Sequence, residues 1–551
     1  MNPELTAVAP ESERPEALFS ISVSAIAWAV TTAGFLLLRL GTIWHTPVGG
    51  AELVHLSGAW QARIGVADDR FVPTLFQALT TLLLHISDSA IPARIVAFAA
   101  TATIPAAVWF LRPRLGEAGA LIALLLLAFD GPAISLGTSA SAMGFDLAIA
   151  AWLFVAIGRK GLRPWTWAAI GFLVATAGPI PLVLALGAGG VALARREYPD
   201  RQAAAWGAGG AIVGNLAASA RFGMGFDGGL RVPPFALFAA SFDQMWSTAN
   251  SLEITALYVA PVVAAGLAAA VLLGVRLRRR GAAEAHDLVL LAWAGVALLW
   301  LLVSGTAHSP APVVALTLPL ALLAGPALAE GVDAMVRADW RYARFLVPIA
   351  LFAAAIALVF MLTWARNGQA TDNGEKLLVT VLLLLALVAL GAACWERRAV
   401  AALLAPALVI GVPLFVSAGM GVSFSSSGEP VPSPVSPVQA RQLRDTALQL
   451  AHEHGGLIVV HERFAEEMTW PFRDSGDIVV ASRVPGDASV VVWPKDLPRP
   501  DGYNAVDVSW NLLLEPDVPT DGFLAYLKWL SDRASLGRSE VPATVYVKAS
   551  Q

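Results

Sequence analysis

A chain of 551 residues that is 57% hydrophobic and 14% charged has too little polar surface for a soluble protein of its size, and it holds many uncharged runs of membrane-spanning length. The net charge of −4 and the short, scattered arginine clusters exclude a nucleic-acid surface as a main function, so the basic residues report topology instead. The one cysteine, Cys394, excludes an intramolecular disulfide, and no Cys/His cluster has zinc-like spacing.

The first apolar run, 17–38, follows a tail (1–16) with acidic residues and precedes no small-residue cleavage site, so it is expected to stay as an anchor. Further spanning helices are expected near 92–111, 118–131, 141–158, 164–178, 180–194, 203–219, 251–275, 287–305, 310–330, 345–363, 377–395 and 399–420. That makes about 13 crossings, several shorter than the roughly 20 residues of a full span. Arg112 and Arg114, Arg159 and Lys160, Arg195 and Arg196, Arg276 to Arg280, Arg337 and Arg341, and Arg397 and Arg398 mark every second connection. The connections 132–140, 179 and 306–309 carry no basic residue. The basic set is therefore expected in the cytoplasm, with the N-terminus inside and the C-terminal tail outside, in a multi-pass protein of the cell membrane.

The segment 71–86, "FVPTLFQALTTLLLHI", tests this scheme, because counting it as a crossing inverts everything downstream. Thr74, Gln77, Thr81 and His85 recur at three- and four-residue steps and make one polar stripe on a helix. That pattern suits a helix lying in the membrane interface. A slightly polar span is the alternative, and the arginine alternation decides against it. The first outer loop then runs from 41 to 91 and contains Glu52, just after Gly49-Gly50, with His55 one helical turn on.

Residues 421–438 are rich in Ser and Pro and suit an extended linker. Residues 439–551 read as a small α/β domain: a helix at Gln439–His454, strands at Leu457–Val460, Asp477–Ala481 and Ser489–Trp493, a helix at Gly522–Arg533 and a last strand at Thr544–Lys548. No phosphate-binding glycine loop or nucleophile elbow occurs in it, which leaves a lid or packing role as its plain reading.

Ionisable groups at membrane depth are functional candidates because burying them is costly unless they are paired. Asp130 and Asp146 bracket the second outer loop. Asp130 can instead cap the helix after Gly131-Pro132, and Asp146 can hydrogen-bond within the bundle. Arg94 enters the second span from the outer side, where it can pair with one of these two acids, contact phosphate or snorkel. The loop 220–251 holds Arg221, Asp227, Arg231 and Asp243 among glycine and aromatic residues, a composition suited to a lid or binding element. In "TWPFRD" (469–474), Trp470 can stack on a sugar or sit at the interface.

The stretches "GGAELVHLSGAWQARIG" (49–65), "FVPTLFQALTTLLL" (71–84), "IPARIVAF" (91–98), "LRPRLGEAGALIALLLLAFDGP" (111–132) and "GFLVATAGPIPLVLAL" (171–186) carry a resemblance. In this order, around one span, a long outer loop and an outer α/β domain, the chain resembles the GT-C superfamily of lipid-linked-sugar glycosyltransferases. Its relatives include the polyprenyl-phosphate-sugar mannosyltransferase and aminoarabinose transferase types. "RPRLGEAGALIALLLLAFDGP" and "MTWPFRDSGDIVVAS" (468–482) are similar to the branch of archaeal and Chloroflexi flippase-associated membrane proteins. Where the superfamily has an acidic pair, of which the leading Asp is the base, this chain has Ala51-Glu52. The interfacial helix opens with Val72-Pro73-Thr74-Leu75, keeping one proline and no cation. "SLGTSASAMGFD" (135–146) has Asp146 near the expected acid and no Arg, and Gly178-Pro179 stands where a lysine is common.

The resemblance implies inverting transfer of a sugar from a polyprenyl-phosphate-linked donor to an acceptor (a glycan, lipid or protein) on the extracytoplasmic face. Such a transfer needs a base for the acceptor hydroxyl, and a cation or an array of N–H donors for the departing phosphate. Glu52 is the candidate base, although an acid there also stabilises a helix N-terminus. His55 can orient Glu52 or face water. Arg94, Arg221 and Arg231 are candidates for the phosphate, and a divalent cation can serve the same purpose. Two other readings stay open: a lipid-linked-sugar transporter or flippase-associated protein, and a catalytically silent GT-C-like subunit of a membrane complex. The expected fold is an all-α polytopic membrane domain (17–420) with an extracytoplasmic α/β domain.

Overall fold

The computed structural model describes residues 22–45, 48, 51–63, 75–157, 164–196, 200–221, 225–226, 259–280, 284–303, 311–337, 437–464, 468–473, 478–517 and 537–549. The expected spans at 345–363, 377–395 and 399–420, most of the linker, the helix at 522–533 and Arg231 lie outside the described residues.

Proline and glycine set many of the helix boundaries. Helix α1 (Val23–Leu40) starts at Ser22, whose hydroxyl accepts the Ala25 N–H at 3.1 Å, and ends at Gly41. A short α2 (Thr42–His45) leads to α3 (Ala51–Arg63) and α4 (Leu75–Ile86) of the first outer loop. The expected crossing at 92–111 is built as two pieces, α5 (Ile91–Thr101) and α6 (Ile104–Leu115). Pro105 has no N–H to carry the helical ladder across the join, and the Thr103 hydroxyl donates to Ala100 O at 2.7 Å there.

Next come α7 (Glu117–Ala128), α8 (Gly131–Thr138), α9 (Ala142–Ile157), α10 (Pro164–Thr176), α11 (Pro179–Arg195) and α12 (Arg201–Ser219). A small ladder of β1 (Ala220–Arg221) and β2 (Gly225–Phe226) follows. Helices α13 (Ala260–Arg280), α14 (Ala285–Val303) and α15 (Ala311–Arg337) complete the described bundle. Among the described residues, three stretches are long and apolar enough to cross a membrane: Ile91–Leu115, Ala285–Val303 and Ala311–Gly331. Five shorter apolar helices accompany them, among them Ala142–Ile157 and Pro179–Arg195.

The bundle core is one apolar cluster drawn chiefly from α6, α7, α9, α11, α14 and α15, with the tilted rings of Phe154 and Trp293 in contact at a centroid distance of 5.4 Å. Helices α7 and α15 meet backbone to backbone. A Cβ on Gly119 would lie 2.9 Å from Pro326 Cα, so only a glycine allows this approach.

On helix α4, Gln77 and Thr81 of the polar stripe are buried against the protein, while His85, Leu82 and Ile86 are exposed. The amide of Gln77 has a partner inside, on α3, and an amide with a partner is better buried than an unpartnered one.

The C-terminal part consists of α16 (Pro437–His454) and a mixed sheet in the order β4-β3-β5-β7-β6. Its strands are β3 (Leu457–His461), β4 (Ile478–Ala481), β5 (Ala488–Pro494), β6 (Tyr503–Asp517) and β7 (Gly537–Lys548). Strand β3 runs parallel to β4 and β5, and β7 is antiparallel to β5 and β6. In the central β5 every residue is buried, with Val490 and Val492 in one core and Val491 and Trp493 in another. The sequence reading contains no strand at 503–517. The register of β6 slips between Ala505 and Ser509, and such a bulge breaks the alternation by which a strand is recognised. The core holding Val490 and Val492 continues into the outer loop: Leu443, Phe464, Trp470 and Phe472 share it with Leu53, Leu56, Ala59, Leu84 and Ala93.

Candidate active site

Glu52 stands in the first turn of α3 and Arg94 in the first turn of α5. Arg94 Nε donates to Glu52 Oε1 at 2.6 Å and Nη2 donates to Oε2 at 2.7 Å. Both side chains are buried, at 3% and 4% exposure, so the pair is desolvated and holds only because its geometry is two-pointed. Two backbone groups complete it. Arg94 Nη1 donates to Ile43 O at 2.8 Å, and the Ala140 N–H donates to Glu52 Oε1 at 2.9 Å. The pair thus ties together α2, α3, α5 and the turn between α8 and α9.

Arg94 also faces a cavity of about 640 Å³ between the outer loop and the C-terminal part. Trp44, Val48 and Leu53 line it on the loop side, and Arg441, Arg444, Trp470 and Arg473 on the other. The acid in its wall, Asp88, is paired with Arg63, and Arg444 is paired with Asp445 at 2.6 Å. Arg94 and Arg444 are each paired with a carboxylate, so the excess of positive charge in the lining comes from Arg441 and Arg473. Trp470 is buried, packs edge-on to Trp60 with ring centroids 6.4 Å apart, and carries the Arg473 guanidinium 4.2 Å from its ring centroid.

The other sequence-derived residues lie elsewhere. Of the acids open to Arg94, neither Asp130 nor Asp146 is the one it meets; Glu52 is. Asp130 Oδ1 accepts the Ala133 N–H at 3.2 Å, which places it at the start of α8. Asp146 Oδ1 accepts the Gly178 N–H at 2.9 Å and satisfies the start of α11. Neither acid lines the cavity. His55 is half-buried and its side-chain hydrogen bond goes to α4, not to Glu52. Its Nδ1–H donates to Gln77 Oε1 at 3.2 Å, and Gln77 Nε2 donates to His55 O at 2.8 Å. Burial holds the His55 imidazole below the ordinary histidine pKa, against a smaller upward pull from Gln77. Arg221 lies in β1, and its side chain is outside the described residues. Among the described residues, no group of three or more His, Cys, Asp or Glu side chains is placed to hold a metal ion.

Sequence reasoning missed Arg441 and Arg444. Their three-residue spacing near the start of an expected helix sets them on one face, the one signal that could have found them. It also missed Arg39 of α1, which is buried and donates to Leu127 O at 3.1 Å and to Phe35 O at 3.2 Å, closing the C-terminal end of α7.

No protein-family model and no curated protein matches the chain. Solved structures do. The crystal structure of ArnT from Cupriavidus metallidurans bound to undecaprenyl phosphate superposes with a TM-score of 0.54 at 14% identity, covering 96% of this chain and 99% of that one. The apo state of the same protein superposes with a TM-score of 0.52 at 14% identity, covering 96% and 100%. The described residues, mostly helical with a small C-terminal sheet, therefore share the fold of ArnT, and the superposition extends over nearly the whole chain.

Proposed function

We propose that this chain is a multi-pass membrane glycosyltransferase that moves a sugar, with inversion, from a polyprenyl-phosphate-linked donor to an acceptor on the extracytoplasmic face. The observation that carries the reading is the arginine-lined cavity set between the outer loop and the C-terminal part, with Arg94 in its wall and Glu52 paired to Arg94 just behind it. A polyprenyl-phosphate-linked donor has a phosphate, as does the undecaprenyl phosphate bound in the ArnT structure, for these arginines to neutralise as it leaves. Arg221 and Arg231 are further phosphate contacts in this reading, and a divalent cation is the alternative counter-charge.

Glu52 is the base. Its Oε2 accepts a single hydrogen bond from Arg94 and keeps a lone pair for an acceptor hydroxyl. Arg94 holds the carboxylate and faces the cavity. Trp470 offers a ring edge to the sugar, and His55, through Gln77, fixes α3 against α4. Asp130 and Asp146 act at a distance, by setting the starts of α8 and α11. The N-terminus is cytoplasmic and the C-terminal domain extracytoplasmic in this scheme.

One observation favours a second reading, a catalytically silent lipid-phosphate-binding subunit: Glu52 engages Arg94 with both oxygens and is absent from the cavity lining. Labelled sugar transfer and polyprenyl phosphate binding, measured separately in membranes, distinguish the two. Transfer that disappears in Glu52→Gln while binding persists supports the enzyme with Glu52 as base, and full transfer in that variant removes Glu52 from the role. Wild-type binding without transfer from any of a panel of polyprenyl-linked sugars supports the silent subunit. Absence of both activities in the wild type overturns both readings.

A further inference from the structure

A second cavity, of about 440 Å³, lies at the other end of the bundle. The stretch Ile91–Leu115 carries Arg94 in its first turn and Arg114 in its last, so at 1.5 Å per residue the two positions are about 30 Å apart. The end of α6, the last turns of α13, the first turn of α14 and the later part of α15 enclose this second cavity.

Its chemistry is of mixed sign. Arg276 Nη1 donates to Glu330 Oε1 at 3.0 Å and Nη2 to Oε2 at 2.5 Å, a pair that ties α13 to α15. Beside it stand Arg114, Glu284 and Asp287, so the rim is rich in both cation and carboxylate. Arg114 lies within electrostatic reach of Asp287 and of His286. His286 lines the cavity at 8% exposure, its ring tilted 42° to that of Phe154 with centroids 4.4 Å apart. The deeper wall is apolar. Leu272 belongs to it and is half-exposed, continuing into the exposed Val271 and Val275 along the outward side of α13.

We propose that this cavity binds a zwitterionic aminophospholipid, with its phosphate against Arg114, its primary ammonium at Glu284 and Asp287, and an acyl chain along Leu272. Two carboxylates beside the arginine select a headgroup that carries its own cation and disfavour a purely anionic lipid. The half-exposed apolar wall selects a lipid over a soluble phosphoamine. The site is independent of the glycosyltransferase reading, because it lies across the bundle from the Glu52–Arg94 pair.

The test uses the full-length protein, stripped of lipid in detergent and titrated with phosphatidylethanolamine, phosphatidylglycerol or water-soluble glycerophosphoethanolamine. Native mass spectrometry reads the bound mass and thermal unfolding reads the stabilisation. Phosphatidylethanolamine is expected to bind best and to raise the unfolding temperature. Glu284→Gln, an exposed position at the start of α14, is expected to weaken it about three- to five-fold. An unfolding temperature for lipid-free Glu284→Gln equal to wild type shows that the variant is folded, and Asp287→Asn provides the same test from α14. Equal binding of phosphatidylglycerol, binding of glycerophosphoethanolamine as tight as that of the lipid, or affinity unchanged in both folded variants would each overturn the proposal.

Discussion

Glu52 and Arg94 stand 42 positions apart in the chain and meet at 2.6 and 2.7 Å through both carboxylate oxygens. Neither belongs to the other's helix, so the contact exists only when α3 and α5 dock. A charge pair buried this deeply offers little net stability over an apolar pair of the same shape, yet losing one partner strands the other. The pair therefore fixes which arrangement of the outer loop is allowed more than it adds to total stability.

Removing one partner is expected to be worse than removing both. Arg94→Leu should destabilise the protein by about 3–5 kcal/mol, and Glu52→Leu combined with Arg94→Leu by clearly less than the sum of the single changes. Thermal or denaturant unfolding in detergent measures the cycle. Additive losses would show that the pair is not coupled.

Gly178 is held to glycine by Asp146. A Cβ at this position would overlap the Asp146 carboxylate, although the backbone there, at φ −75°, suits any residue. Gly178→Ala is expected to cost about 1–3 kcal/mol through overpacking and the displaced hydrogen bond. Asp146→Ala in the same chain should return part of that loss. A Gly178→Ala protein as stable as wild type would mean that the carboxylate has room to move.

His55 makes stability depend on pH. Its folded pKa is depressed, chiefly by burial, so as pH falls through about 6.5 the unfolded chain takes up a proton that the folded chain resists. The unfolded state then binds more protons, and stability is lost as pH drops below that value and is fully present above it. Unfolding temperatures at pH 7.5 and pH 5.5 should therefore differ less in His55→Gln than in wild type. An identical pH dependence in the two proteins would rule out the imidazole as a source.

Trp470 joins the C-terminal part to α3 through Trp60. Trp470→Ala is expected to cost about 3–5 kcal/mol and to raise hydrogen exchange in α3 and β3 together, since both lie on the same apolar core. Faster exchange confined to residues 468–473 would show that the two parts hold together without the tryptophan.

Residues 22–337 and the C-terminal sheet show how far local pattern reaches. Apolar runs bounded by Pro, Gly and Arg predict helices α9, α11, α14 and α15 to within a few residues at most ends, because length and hydropathy are local properties. The same holds for β3 and β5, and for an acid in the first turn behind Gly49-Gly50. At 14% identity, the resemblance carried by 49–65, 71–84, 91–98, 111–132 and 171–186 agrees with the fold that the superposition on ArnT shows. What the sequence determined by itself is where the apolar helices of the bundle and the strands β3 and β5 run, and which segments carry charge.

Only the tertiary structure decided where those charges go. Arg94 meets Glu52 rather than Asp130 or Asp146, Gln77 turns inward to His55, and Arg441, Arg444 and Arg473 arrive at the cavity from hundreds of positions away. No periodicity encodes such meetings. A buried ion pair or a shared cavity depends on how whole elements dock, and docking is set by the sum of packing over both surfaces rather than by any short stretch of either.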